Sequence, residues 1–303
     1  MSESNAPVQI IEVGLRDGLQ NETAVVAVTD KLRLIQLLTD AGLKELEVAS
    51  FVRPDRIPQM ADSGALMQAL TRTPDIRYSA LVPNLQGMQQ ALLRNVDQVA
   101  VFTAASEGFC RHNINCSIDE SFQRFAPIMA LAREHRIPVR GYLSTIHTCP
   151  YDGRTPIDSV LDACRRLFDL GCFEISLGDT LGTCTPFEAR HLLGELAREF
   201  GPARLALHFH NTYGQALANL YVGLELGFRR IDSSIAGLGG CPYASGASGN
   251  VATEDVVYML TRSGLDCGID LGRLLDASRF ISQVLQRPPQ SSLGRIQHRN
   301  STP

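Results

Sequence analysis

Short β-branched and aliphatic runs alternate along this chain with longer stretches whose apolar residues recur at helical spacing. The strand-like runs fall at 8–13, 44–49, 76–82, 97–103, 139–145, 173–178, 204–210 and 230–235. Between them, Leu34, Leu37, Leu38 and Ala41 occupy i, i+3, i+4 and i+7, and Leu217, Leu220, Tyr221 and Leu224 repeat the pattern. That spacing predicts helices with one buried face. Gly42, Gly171 and Gly227 each stand where a helix gives way to the next strand, the position of a C-terminal cap. Eight βα units without a composition break predict an α/β fold, one closed (β/α)8 TIM barrel over about residues 8–265. A short C-terminal helical extension and polar tail over about 266–303 complete a single catalytic domain, 1–303. A doubly wound open sheet competes, but no G-x-G-x-x-G follows the first strand.

Composition narrows the class of function. The 303 residues are 44% hydrophobic and carry a formal charge of −4, with no basic stripe for nucleic acid or a membrane surface. The eight cysteines include no C-x-x-C and no zinc-finger spacing, so they read as free thiols in a reducing compartment. The N-terminus lacks a signal-peptide pattern, no apolar run of about 18 residues occurs, and the C-terminal Ser301-Thr302-Pro303 is no peroxisomal tripeptide. A cytoplasmic enzyme of small-molecule chemistry is expected, with a homodimer or higher homo-oligomer left open.

In such a barrel the chemistry sits at the C-terminal ends of the strands, and polar residues do collect there. The first run leads into Arg16-Asp17, the second carries Glu47, the sixth leads into Asp179, the seventh holds His208 and His210, and a glycine-rich stretch follows the eighth. Residues i and i+2 of a strand share a face, so the two imidazoles are placed to share one divalent cation if a carboxylate completes the site. An isolated H-x-H is equally a hydrogen-bonded core pair; the strand-end position favours the metal. Asp17 is a candidate carboxylate ligand and Arg16 a fixed cation for a developing oxyanion, against the plainer reading of an adjacent surface ion pair. Glu47 either holds the Arg16 fork, moves a proton, or is a satisfied interior carboxylate. The stretch 237–250 holds five glycines and Cys241, the pattern of a lid that delivers a reactive thiol. Asn250, at its end, either ligates a hard cation or caps the helix predicted over 251–260.

Taken together these residues resemble one family. Val13-Gly14-Leu15-Arg16-Asp17-Gly18-Leu19-Gln20-Asn21-Glu22 is similar to the opening motif of 3-hydroxy-3-methylglutaryl-CoA lyases, within the metal-dependent aldolase-like barrels. Ser50-Phe51-Val52, Asn113-Ile114-Asn115-Cys116-Ser117, Ser176-Leu177-Gly178-Asp179-Thr180, Thr212-Tyr213-Gly214-Gln215 and Gly237-Leu238-Gly239-Gly240-Cys241-Pro242-Tyr243 continue the likeness, which covers about residues 8–285. The resemblance implies Mg2+ or Mn2+ held by Asp17, His208, His210 and Asn250. It implies that Arg16 stabilises an enolate, that Glu47 and Asp179 support substrate and proton transfer, and that Cys241 is a mobile acid. Whether His208 shuttles a proton as well as ligating stays open, since a metal-bound imidazole has little basicity left. It implies an acyl-CoA substrate, cleaved to acetyl-CoA and acetoacetate by a retro-Claisen reaction, as in leucine degradation and ketone-body formation.

Leu15, Thr23, Asn211, His147 and Thr148 depart from the common pattern of that family. His147 follows the fifth strand, so it is a candidate contact for the substrate's 3-substituent or acyl carboxylate. The departures keep open a longer 3-substituent or citramalyl-CoA. A Claisen-condensing synthase shares the metal set, but such enzymes usually carry long C-terminal domains. A metal-dependent hydrolase barrel commonly has its H-x-H on the first strand; here it lies on the seventh.

Overall fold

Residues 6–240 and 249–300 are described by the computed structural model. Its strands are β1 (Gln9–Glu12), β2 (Glu45–Ser50), β3 (Arg77–Leu81), β4 (Gln98–Ala104), β5 (Val139–Ser144), β6 (Thr148–Cys149), β7 (Gly153–Arg154), β8 (Glu174–Asp179), β9 (Leu205–Phe209) and β10 (Arg230–Ser233). All but β6 and β7 are parallel and close into a barrel in the order β1-β10-β9-β8-β5-β4-β3-β2. Each of the eight apolar runs became a barrel strand. The β6–β7 hairpin was not expected, because two residues per strand leave no alternation to detect.

The helices are α1 (Val28–Asp40), α2 (Ser63–Ala69), α3 (Leu85–Leu93), α4 (Glu107–Ile114), α5 (Ile118–Glu134), α6 (Ile157–Leu170), α7 (Pro186–Phe200), α8 (Ala216–Glu225), α9 (Thr253–Arg262), α10 (Leu271–Val284) and α11 (Ser292–Asn300). Leu34 and Leu38 of α1 and Leu220 and Leu224 of α8 are buried as their spacing required. Tyr221 is the exception: it is exposed and donates its hydroxyl to Glu225 one turn on, at 2.8 Å. A phenol satisfies the spacing rule yet keeps a polar end that water or a carboxylate can hold. Among the described residues no helix is long and apolar enough to cross a membrane.

Strand periodicity divides the barrel wall into two faces. Val139, Leu143, Ile175, Leu177, Leu205, Leu207 and Ile231 join the apolar layer under the helices. The alternate positions Arg140, Tyr142, Glu174, Ser176, Arg230 and Asp232 point inward, where their side chains meet across the barrel. Stability therefore resides mainly between sheet and helices, where each buried Leu or Ile is worth about 1.5–3 kcal/mol. The interior is left to polar chemistry.

The C-terminal helices are tied to the barrel rather than appended to it. α10 packs on α1 and α9, and Asp270 N–H donates to Ala41 C=O at 2.8 Å. Glu254, in the first turn of α9, accepts from Ala236 N–H at 3.0 Å and from the Ser278 and Ser291 hydroxyls, each at 2.6 Å. Nearby, Glu12 accepts from Gly14 N–H, Ile235 N–H and the Thr253 hydroxyl at 2.8, 2.9 and 2.6 Å. Burial outweighs those three donors and pushes its pKa up to about 7.

A carboxyl whose folded-state pKa is raised lends its full stability below the unfolded value, and loses it as pH rises through the folded value. Glu12 should therefore cost the fold stability progressively between about pH 4.5 and pH 7, on the order of 3 kcal/mol in all. Urea unfolding of wild type and Glu12→Gln at pH 5, 6, 7 and 8 checks this. The difference in unfolding free energy should move in favour of the variant as pH rises; a difference independent of pH would refute the assignment.

Candidate active site

The mouth of the barrel is organised from the end of β1. Val13 C=O accepts N–H bonds from Arg16, Asp17 and Gly18 at 3.2, 2.7 and 3.2 Å, which winds Gly14–Gly18 into one π-helical turn. A Cβ at Gly14 would lie 2.5 Å from Glu12 Oε1, so a side chain at the start of the turn would have to displace that hydrogen-bonded carboxylate. The turn sets Arg16 and Asp17 side by side at the mouth. Arg16 Nε and Nη2 both lie 2.6 Å from Glu47 Oε2, and Nη1 lies 2.6 Å from Asp17 Oδ1. The register of β2 on β3 slips between Glu47 and Ala49, and such bulges re-aim side chains beside active sites.

His208 pairs with Gly178 across the β8–β9 ladder, and its ring lies 5.4 Å from that of His210, centroid to centroid. The His208 Nδ1 is 3.1 Å from Asp232 Oδ2 and its Nε2 is 3.9 Å from Asp17 Oδ2. Burial opposes ionisation of Asp232, but Arg140 and His208 hold it well below the usual carboxylate range. An ionised Asp232 draws the proton to Nδ1 and leaves the Nε2 lone pair free, the arrangement that orients metal-binding imidazoles. Asn250 bridges to His210 and places Nδ2 2.7 Å from Asp17 Oδ2. A half-turn of that amide exchanges its oxygen for its nitrogen. Asn250 is not the helix cap: α9 begins at Thr253, with Ala252 in the capping position.

Ligand atoms of Asp17, His208 and His210 lie within 4.8 Å of one another. Four further observations fit this donor set to a cation. Two buried arginines, Arg16 and Arg140, face three carboxylates, Asp17, Glu47 and Asp232, so the cluster is short of positive charge. Burial and the neighbouring His208 push His210 down to about 4, which keeps its imidazole neutral. Its Nδ1 is buried without a hydrogen-bond partner. Burial also works against ionised Asp17, yet Arg16 and the two histidines hold its pKa below the ordinary value. Neutral imidazoles and an ionised carboxylate are the forms that bind metal.

Other expected residues lie apart from this cluster. Asp179 is fully buried, and its Oδ2 accepts from Cys184 N–H at 3.0 Å. Burial raises its pKa to about 6, against backbone donors from Cys184, Thr183 and Gly182. Its carboxylate thus shapes the β8–α7 loop and is not brought against Arg16 or Asp17. That loop presses on the histidines: Gly182 has φ +67°, and a Cβ there would lie 2.6 Å from His210 C=O. His147 is 5% exposed and is engaged by Thr148 of its own loop and by Thr183 of the β8–α7 loop. Cys241 lies outside the described residues. Of the described residues around it, Gly249 C=O accepts from Asn211 N–H at 2.8 Å, and a Cβ on Gly249 would lie 2.6 Å from Gly240 N.

Asp232, Arg140, Tyr142 and Ser176 were not anticipated. Arg140 Nη1 and Nη2 clasp Asp232 at 3.0 and 2.7 Å, Ser176 donates to Asp232 at 2.7 Å, and Tyr142 donates to Glu47 at 3.0 Å. The available signal was polar residues two apart within otherwise apolar strands, as in Arg140-x-Tyr142 and Arg230-x-Asp232.

Comparison with known proteins agrees with this geometry. The HMGL-like family model matches residues 7–281. The mitochondrial hydroxymethylglutaryl-CoA lyase of Gallus gallus is 48% identical over 94% of this chain and 96% of its own. A hydroxymethylglutaryl-CoA lyase from Pseudomonas aeruginosa superimposes with a TM-score of 0.96 at 47% identity, covering 99% of this chain and 100% of that one. An HMG-CoA lyase from Acinetobacter baumannii, solved in complex with coenzyme A and 3-methylmalate, has a TM-score of 0.92 at 33% identity over 97% of this chain and 96% of that one. This chain belongs to the HMGL-like family.

Proposed function

We propose that this chain is an acyl-CoA lyase that cleaves 3-hydroxy-3-methylglutaryl-CoA to acetyl-CoA and acetoacetate. The observation that carries this reading is the shared carboxylate of Asp17, which joins the Arg16–Glu47 pair to the His208–His210–Asn250 donors. Asp17, His208, His210 and the Asn250 carbonyl would hold the divalent ion, and a set of oxygen and imidazole donors without sulfur suits Mg2+ or Mn2+. When bound, such an ion acidifies the substrate's tertiary hydroxyl and fixes its orientation.

The chain's own residues account for the remaining requirements. Breaking the C2–C3 bond removes the hydroxyl proton and leaves the thioester fragment as an enolate. Arg16 has five N–H groups and spends three on Glu47 and Asp17, so two remain for the enolate oxygen. Its charge is permanent there: burial opposes it, but Glu47 and Asp17 raise its pKa further above the usual range. Glu47 has a divided role. Oε2 holds Arg16 and Tyr142, while Oε1 is buried without a partner and is assigned to receive the hydroxyl proton. Burial raises the pKa of Glu47 above the ordinary glutamate value, which suits a proton acceptor that must later release. His208 is assigned to ligation and orientation, since a metal-bound imidazole retains little basicity. Cys241 is assigned to protonate the enolate carbon, and Asp179 to fix the loop behind His210. His147 is assigned to the contact between the β5–α6 and β8–α7 loops rather than to the acyl group.

Purified protein with Mg2+ or Mn2+ should release acetyl-CoA from 3-hydroxy-3-methylglutaryl-CoA. No release from it, together with release from a longer 3-alkyl analogue or from citramalyl-CoA, would move the substrate assignment. Cys241→Ser should lower kcat by at least about 100-fold while Mn2+ binding, followed by electron paramagnetic resonance, is retained. His210→Ala should lose both. Full activity in Cys241→Ser would dismiss the mobile-acid role. Glu47→Gln should lower kcat by about 100-fold or more and flatten the acid limb of its pH profile. That limb arises because the ionised carboxylate is the active form and protonates at a higher pH than an ordinary glutamate. An unchanged acid limb would assign proton transfer elsewhere.

A further inference from the structure

A second group of donors lies outside the mouth, on the loops that follow two neighbouring strands. β5 and β8 pair directly in the barrel, so the loops after them run side by side. The first carries His147. The second carries Cys184 and leads into α7, whose first turn holds Glu188. One ligand atom from each of His147, Cys184 and Glu188 lies within 4.8 Å of the others.

The imidazole turns one nitrogen toward the other two groups. His147 Nδ1 is engaged by the Thr148 hydroxyl at 2.9 Å and the Thr183 hydroxyl at 3.3 Å. Its Nε2 is buried and makes no hydrogen bond, although Glu188 Oε2 is only 3.3 Å away. Both Nδ1 partners are hydroxyls that can donate or accept; with the proton on Nδ1, the Nε2 lone pair faces the Glu188 carboxylate oxygen, a geometry that a cation would bridge. Glu188 is held for such a role: Oε2 accepts from Thr185 N–H at 3.0 Å and from the Thr185 hydroxyl at 2.8 Å, and Oε1 pairs with Arg154 at 2.5 Å. Cys184 is fully buried, whereas the Glu188 side chain is 33% exposed and gives the ion a way in.

We propose that His147, Cys184 and Glu188 form a second metal site, for one zinc-type divalent ion that clamps the β5–α6 and β8–α7 loops together. One thiolate, one imidazole and one carboxylate make a donor set for zinc and its borderline-soft neighbours, with the fourth position left to water. Without a cation the thiol has no chemistry of its own. Burial, then the Asp179 and Glu188 carboxylates, push its pKa well above the ordinary value, so it is no nucleophile. On binding, the thiol proton is released to solvent and the thiolate sulfur donates to the ion. The site does not depend on the lyase reading. It does touch that region, because Cys184 N–H donates to Asp179 in the loop behind His210.

Cobalt reports thiolate ligation directly, through a sulfur-to-cobalt charge-transfer band in the near ultraviolet. The full-length Cys241→Ser protein removes the lid thiol, and Co2+ in the Asp17–His208–His210 cluster gives no sulfur band. Titration of that protein with Co2+ in excess Mg2+ should give the band, saturating at one equivalent and bleached by Zn2+. Adding Cys184→Ser should abolish it, and adding His210→Ala should leave it. If the Cys184→Ser protein does not fold, His147→Gln carries the test, since it keeps the thiol and should require more than about tenfold more Co2+. No band in the Cys241→Ser protein, a band that survives Cys184→Ser, or a titration unmoved by His147→Gln would each overturn the site.

Discussion

A guanidinium locked inside the barrel governs the rest of this structure. Arg140 is 1% exposed, and stripping an ion of water costs several kcal/mol even after relaxation. It is sustained only because Glu174 takes its Nε at 2.6 Å and Asp232 takes both terminal nitrogens. The pairing passes outward as a closed circuit. Arg140 donates to the Tyr142 hydroxyl at 3.0 Å, Tyr142 donates to Glu47, Glu47 holds Arg16, and Arg16 holds Asp17. Asp17 faces His208, and His208 returns to Asp232. Each member is the counter-charge or the orienting partner of the next, so removing Arg16 or Arg140 leaves buried carboxylates without their counter-charge. Such a circuit fixes side-chain geometry before any ligand arrives, and that preorganisation is what electrostatic catalysis requires.

The closed sheet makes the circuit affordable. Its helix-facing wall supplies the apolar burial, leaving the inward positions of β5, β8 and β10 free for charge. Parallel pairing sets the height of each inward residue: His208 stands opposite Gly178, a residue with no side chain to compete for the mouth. The ends of β1 and β9 hold the cluster of Asp17, His208 and His210, and the backbone of Gly249 and Asn250 closes on Asn211 and His210 at the same rim, so the donors are fixed from several directions.

Local patterns carried most of the fold. Every barrel strand falls within about two residues of its apolar run, because period-two burial and glycine-capped helices are short-range signals. Position at a strand end also brought out Arg16, Asp17, Glu47, His208 and His210. The partners behind them were hidden because they come from distant strands: Arg140 and Asp232 are 92 residues apart in sequence. Asp179 shows a related limit. Strand-end position places a carboxylate at the rim but does not say which way it turns, and here the loop's own N–H groups claim it. His147 is read from its strand-end position in the same way, and nothing in the sequence points to its partner Thr183, 36 residues on in the next loop.

The two donor clusters also bear on each other through chemistry. Asp17, His208, His210 and Asn250 offer oxygen and imidazole, and the nearby excess of carboxylate favours hard cations that keep water in their coordination shell. By affinity alone, zinc would displace magnesium from almost any such set, since nitrogen and oxygen sites follow the same rank order of metals. Selectivity at the mouth therefore has to come from the mouth's own geometry and from which ion is available, not from the donor types alone. The loop that carries Cys184 bears on that geometry directly, because its Gly182 rests on the His210 backbone and any shift of the loop is passed to the histidine pair.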